Sequence, residues 1–242
     1  MYACGCICRV VPRRSTGSRG DYLTNNQMKK LRWFLVLLLW TGNVRATEQE
    51  TIEHCARVIR DFRQLPEKSI PRSVLAHSRG LAIITVLKAG FVFSGKVGHG
   101  VVVARTSSGR WSGPSFIVQG GAGWGLQAGA EATDFVFVLN TEAAVRAFAT
   151  KANVTLGVDA SVAAGPVGRD AHVGVTPTAA IYTYSRTKGL FAGAALEGAV
   201  IGTQKNENTS YYGRPVYARD ILDGRIRPPA GTRVLTSILS GE

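Results

Sequence analysis

Residues 90–96, "GFVFSGK", set a glycine, four residues and then Gly-Lys in the order used by loops that cradle a nucleotide's phosphates. That chemistry needs Ser or Thr after the lysine to hold magnesium, and a helix starting there whose first amides meet the phosphate. Val97 stands in the hydroxyl position, and "GHGVVVAR" after it is a poor helix former. Phe91 and Phe93 alternate as strand residues do, so the stretch predicts a hairpin. "GWGLQA", residues 123–128, similarly fits the G-x-G-x-x-A pattern of dinucleotide sites. The strand-like "GAEATDFVFVLN" that follows removes the βαβ setting on which that pattern depends.

The remaining reactive residues are scattered. There is no G-x-S-x-G elbow, and His54, His77, His99 and His172 are far apart in sequence. His54 and Cys55 adjoin on a predicted helix, where their side chains diverge by about 100° and form no dyad by adjacency. Cys4, Cys6 and Cys8 in "CGCIC" have the chemistry to ligate a metal or carry acyl chains, but no histidine is near them and an inert terminus fits better. Glu131, Asp134 and Glu197 are acids among apolar strand residues, expected to pair structurally with Lys88 or Arg105. No catalytic residue, metal site, cofactor or small-molecule substrate is expected.

Charge is the stronger signal. The formal net charge is +13, of which residues 1–46 hold eight Lys or Arg against one acid, leaving residues 47–242 at +6 from 21 basic and 15 acidic residues. An anionic partner follows: a phospholipid surface, an acidic protein or nucleic acid. No nucleic-acid motif accompanies the charge, so nucleic acid is set aside. Arg57, Arg60 and Arg63 recur on one side of a predicted helix, and Lys68 and Arg72 follow in the next connection. These five are the candidate lipid-binding residues. The solvated outer face of a docked helix explains them as well.

The elements that must carry these residues start at Thr47. Thr47 and Glu50 have capping-box spacing, and Ile52, Cys55, Ala56, Ile59 and Phe62 form an apolar stripe that ends before Pro66, which predicts an amphipathic helix. Pro71 opens a second short helix through His77. β-Branched and aromatic runs then predict strands at 81–88, 90–97, 100–106, 115–119, 125–139, 154–164, 171–185 and 190–204. One helix interrupts them, capped by Asn140, with Ala144, Val145, Phe148 and Ala149 as its stripe. A short helix after Pro229 closes the chain. The class is α+β: a glycine-rich antiparallel sandwich or barrel-like sheet with an N-terminal basic helix and one inserted helix.

Residues 1–46 read as a basic extension outside the 47–242 domain. From Met28, "MKKLRWFLVLLLWTGNVRAT" has the basic, apolar and small-residue layout of a secretory signal, cleaved after Ala46. Its apolar run is about half of the roughly 20 residues that cross a bilayer as a helix. Export would give meaning to the sequons at Asn153 and Asn208. A lipid-embedded barrel is disfavoured, because aromatics are only 8% of residues and the predicted helices fit poorly.

In order, the chain presents "GLAIITVLKAGFVFSGKVGHGVVVAR", "GRWSGPSFI", "GWGLQAGAEATDFVFVLN", "LGVDASVAAGPVGR", "YSRTKGLFAGAALEGAVI" and "YYGRPVYARDIL". Together these resemble the SYLF domain over roughly residues 50–227. That domain occurs in yeast actin-patch proteins, animal Src-homology 3 adaptors, plant FYVE proteins and bacterial exported proteins. The resemblance implies phosphoinositide and membrane binding, with actin binding and bundling in fungal members. In animal members lipid binding is associated with the N-terminal basic portion, which here is Ile52 to Arg72, so Arg57, Arg60, Arg63, Lys68 and Arg72 take the candidacy. No Src-homology 3 or FYVE segment is seen in the 242 residues, and the signal-like segment is closer to the bacterial exported members.

The expected function is therefore non-catalytic binding of acidic phospholipid at the cytoplasmic face of membranes, with Ile52, Ile59 and Phe62 entering the headgroup region if the helix undocks. The alternatives are an actin-filament module and an exported envelope protein of the same fold, secreted or periplasmic.

Overall fold

The computed structural model describes residues 47–64, 69–150, 153–155, 161–164, 179–192 and 200–241, all within one unit spanning Ala46–Glu242. The cysteine cluster, the signal-like segment, Lys68, His172 and Glu197 lie outside them.

Helix α1, Glu48–Gln64, begins where the capping box predicts. The Glu50 amide donates to Thr47 Oγ1 at 3.2 Å, and the Thr47 amide donates to Glu50 Oε2 at 2.8 Å, so each residue satisfies the other's orphan donor. Glu48 and Glu50 in the first turn and Arg63 in the last complement the helix dipole. Its apolar face is Ile52, Cys55, Ala56, Val58, Ile59 and Phe62, all buried. At about 1.5–3 kcal/mol for each large side chain taken fully out of water, this stripe rather than helix propensity holds α1 down. The predicted second helix is α2, Arg72–His77.

Strands β1, Gly80–Ala104, and β2, Ser115–Leu139, pair antiparallel from Gly80 opposite Leu139 to Val102 opposite Ser115, with a register irregularity between Phe91 and Phe93. The stretches expected as separate strands at 81–106 and 115–139 are thus two continuous strands. Both nucleotide-like glycine patterns fall inside them, where no helix N-terminus exists to meet a phosphate. Strand β1 also doubles back on itself: the Arg105 amide donates to the Arg79 carbonyl at 2.8 Å. A Cβ on Gly100 would run into the Ile83 backbone, and one on Gly80 would lie 2.9 Å from the Val103 carbonyl oxygen. The glycines that read as turns instead let two stretches of backbone touch.

The shorter strands are β3, Asn153–Thr155; β4, Val162–Ala164; β5, Ile181–Ala192; and β6, Val200–Thr203. They complete a six-stranded sheet in the order β3-β6-β2-β5-β4, with β1 also on β2. All pairs are antiparallel except β4 with β5. The α+β class is as expected, and the sheet is not closed.

Side-chain alternation divides the core in two. Leu81, Ile83, Val101 and Val103 face α1, α2 and the C-terminal helix. Ala82, Ile84, Val102 and Ala104 face α3, Glu142–Thr150, through Ala144 and Phe148. Helix α3 is capped by Thr141, whose Oγ1 accepts the Ala144 amide at 3.1 Å, and not by Asn140, whose side-chain amide donates to the Ala179 carbonyl at 3.0 Å. Three further helices follow: α4, Lys205–Tyr212; α5, Ala218–Leu222; and, after a 3-10 turn at Ala230–Thr232, α6, Arg233–Ser240. The last is the helix expected after Pro229. Helices α4 and α5 stand where no element was expected past residue 204.

Candidate functional site

The outward side of α1 carries Arg57, Arg60 and Arg63 at helical spacing, all exposed, and Arg72 is exposed at the start of α2. Among the described residues, none of the four pairs with a carboxylate. Partial burial and then the charge of Arg72 lower the pKa of Arg63, so these two cations lie close enough to repel. Lys68 belongs to the connection outside the described residues.

What fixes this surface is a polar network beneath it. Arg186 of β5 donates from Nη2 to Asp61 Oδ2 at 2.7 Å and to Asp134 Oδ2 at 2.9 Å, tying α1 to the sheet. The Thr85 hydroxyl donates to Asp134 Oδ1 at 2.7 Å, and His54 Nε2 lies 2.9 Å from Thr85 Oγ1. Since the Thr85 proton is committed to the carboxylate, His54 must donate from Nε2, which leaves Nδ1 as acceptor for Arg57 Nη2 at 3.5 Å. Burial alone would raise the Asp134 carboxyl. The surrounding His54 imidazole, Arg186 guanidinium and Thr85 hydroxyl outweigh burial and hold it well below the usual carboxylate range. Asp134 therefore pairs with Arg186, not with Lys88 or Arg105 as the sequence suggested.

The network holds a hydroxyl, an imidazole and a carboxylate, yet it is not a nucleophile site. The hydroxyl already donates to a strongly ionised acid, and the imidazole beside it donates to the hydroxyl rather than accepting its proton. Cys55 beside it is fully buried, and burial pushes its thiol up to about 12, far from the thiolate that reactivity needs. His77 contacts the Ser73 carbonyl and His99 the Gln204 amide, so the described histidines do not converge. Among the described residues no group of three or more His, Cys, Asp or Glu could hold a metal ion.

Sequence reasoning read Asn208 only as a sequon and missed its structural role. Its Oδ1 accepts the Phe116 amide at 2.8 Å and its Nδ2 donates to Ser115 Oγ at 3.2 Å, with the residue wholly buried. As folded it is a structural amide linking α4 to β2, not a glycosylation acceptor. The readable signal for α4 was Gly213, which ends it in the left-handed conformation at φ +68°.

A buried latch under an arginine-lined helix is not specific to one family, but the chain's likeness to known proteins is. Residues 120–241 match the family model described as Las17-binding protein actin regulator, or Ysc84. The chain belongs to that Ysc84 family. It is 48% identical over 177 residues to LAS seventeen-binding protein 3 of Saccharomyces cerevisiae, covering 72% of this chain and 39% of that protein. A Schizosaccharomyces pombe SH3 domain-containing protein is 46% identical over 180 residues, 73% of this chain and 42% of the relative. The human SH3 domain-containing YSC84-like protein 1 is 42% identical over 191 residues, 76% of this chain and 56% of the relative. The chain thus spans about half or less of each of these relatives, and the match agrees with the resemblance drawn from its motifs.

Proposed function

We propose that this Ysc84-family chain is a non-catalytic docking module of the actin machinery, whose arginine face on α1 and α2 meets an acidic protein surface such as that of a filament. The observation that carries this reading is the set of four exposed arginines lacking carboxylate partners among the described residues, three of them on a helix locked from behind by Arg186 and the fourth at the start of α2. The family description and the relative named for Las17 binding support the actin setting. No described helix is long and apolar enough to cross a membrane. The test is cosedimentation: the chain should pellet with actin filaments, and R57E/R60E/R63E should remove that binding while leaving the circular-dichroism spectrum unchanged. Filament binding that survives the triple reversal would exclude this face.

A second reading, adhesion to acidic phospholipid including phosphoinositides at the cytoplasmic face of a membrane, is favoured by the mutual repulsion of Arg63 and Arg72, which a phosphate between them would relieve. Such adhesion would rest on charge, at roughly 1 kcal/mol per Lys or Arg near the surface, and would weaken with salt. Insertion of Ile52, Ile59 and Phe62 into the headgroup region is disfavoured, because all three are at most 1% exposed in the core. Pelleting with anionic liposomes but not with filaments would select this reading.

A further inference from the structure

A second arginine cluster lies away from α1. The loop between β1 and β2 faces the segment leading from α5 into α6 across a cavity of about 740 Å³. Arg110 enters it from the loop, and Arg225, Arg227 and Arg233 enter it from the opposite wall; Asp223 is the one carboxylate among the lining residues. Arg225 is neutralised, with Nη1 3.2 Å from Asp220 and Nη2 3.3 Å from Asp223. Arg110 reaches only the Ser108 hydroxyl, at 3.4 Å, and among the described residues neither Arg227 nor Arg233 has an acid partner. Among the described residues the walls therefore hold three guanidinium groups without an acid partner, and Asp223 is already engaged.

Three guanidinium groups lining one hollow, without acid partners among the described residues, make it electropositive and suited to an anion. Guanidinium forks match phosphate oxygens in bidentate fashion, and a cavity of this size falls in the range that takes small molecules. A single orthophosphate would fill a minor part of the space. A second, shallower hollow of about 530 Å³ shares Thr106 and Ser107 and adds Arg79 and Arg105, which extends the positive field across the loop. The indole N–H of Trp111, a lining residue, is buried with no acceptor.

We propose that this cleft binds a compact molecule carrying two or more phosphoryl groups, with Arg110, Arg227 and Arg233 as its anchors. No residue of α1 lines the cleft, so the assignment does not rest on the docking face.

Calorimetric titration of the full chain with inositol hexakisphosphate tests it. A single class of site is expected, with inorganic phosphate binding far more weakly, and R227E/R233E should weaken the hexakisphosphate by about tenfold or more. R57E/R60E/R63E should leave it within about twofold, which separates failure of the cleft from failure of the docking face. The neutral pair R227Q/R233Q, and amide shifts of the unaltered chain on adding the hexakisphosphate, guard against a variant that fails to fold; the shifts should centre on Arg110, Arg227 and Arg233. Vesicles of phosphatidylcholine with a phosphatidylinositol bisphosphate distinguish the sources. Displacement of the chain from them by the hexakisphosphate assigns a lipid headgroup, and binding of the soluble probe alone assigns a free solute. No calorimetric binding, binding indifferent to both cleft pairs, or shifts centred on α1 would overturn the proposal.

Discussion

The two sides of α1 use arginine in opposite ways. Behind the helix, Arg186 holds two carboxylates with its side chain 18% exposed, and burial, which alone would lower its pKa, is outweighed by Asp134 and Asp61. In front, Arg57, Arg60 and Arg63 stand in water with no carboxylate partner among the described residues. One guanidinium fastens the scaffold and the others offer it to something else. The lesson is that charge becomes informative about a partner only where the fold has not already used it.

The largest expected effect breaks the fastening side. Asp134→Asn leaves Arg186 facing a neutral amide and removes a buried ionic partner, at a cost of about 3–5 kcal/mol in denaturant unfolding. A loss under about 1 kcal/mol would mean that Asp61 suffices alone. The pH dependence follows from the same carboxylate. Its folded pKa lies below its unfolded one, so its stabilisation is complete above about pH 4 and falls away as the medium is acidified toward the folded value. Thermal melts from neutral to strongly acidic pH should show that decline in the unaltered chain, and a smaller one in Asp134→Asn.

Smaller changes sharpen the comparison. Thr47→Ala removes one half of the reciprocal cap and should cost about 1 kcal/mol in melting experiments, without altering filament binding. The triple reversal R57E/R60E/R63E should move stability by no more than about 0.5 kcal/mol, because its residues are exposed and hold no ion pair among the described residues, while removing filament binding. A large destabilisation would show that the front of the helix is also structural.

Much of this contrast could be read from the chain. The capping box, the stripe of Ile52, Ile59 and Phe62, and the outward arginines all follow from helical spacing, a local property. The length of β1 and β2 did not, because Gly90, Gly95, Gly98 and Gly100 look like turn formers and instead continue one strand, with Gly100 at the close approach to Ile83. Helix α4 escaped because it docks through Asn208, Tyr211 and Tyr212, which leave no apolar period. Tyr211 bonds Thr232, and Tyr212 bonds the Pro114 carbonyl. The latch was hidden by distance: Arg186 stands 125 positions from Asp61 and 52 from Asp134. The cleft was visible only as part of the net charge, since its walls are more than a hundred residues apart in sequence.

That separation has a consequence for biogenesis. Helix α1 is made early, but the residue that clamps it is translated 125 positions after Asp61. At about 5–20 residues per second the ribosome needs roughly ten seconds to close that gap. For that interval the apolar face of α1 waits without its clamp while β1 and β2 are still being made, a natural client for a chaperone that grips nascent chains.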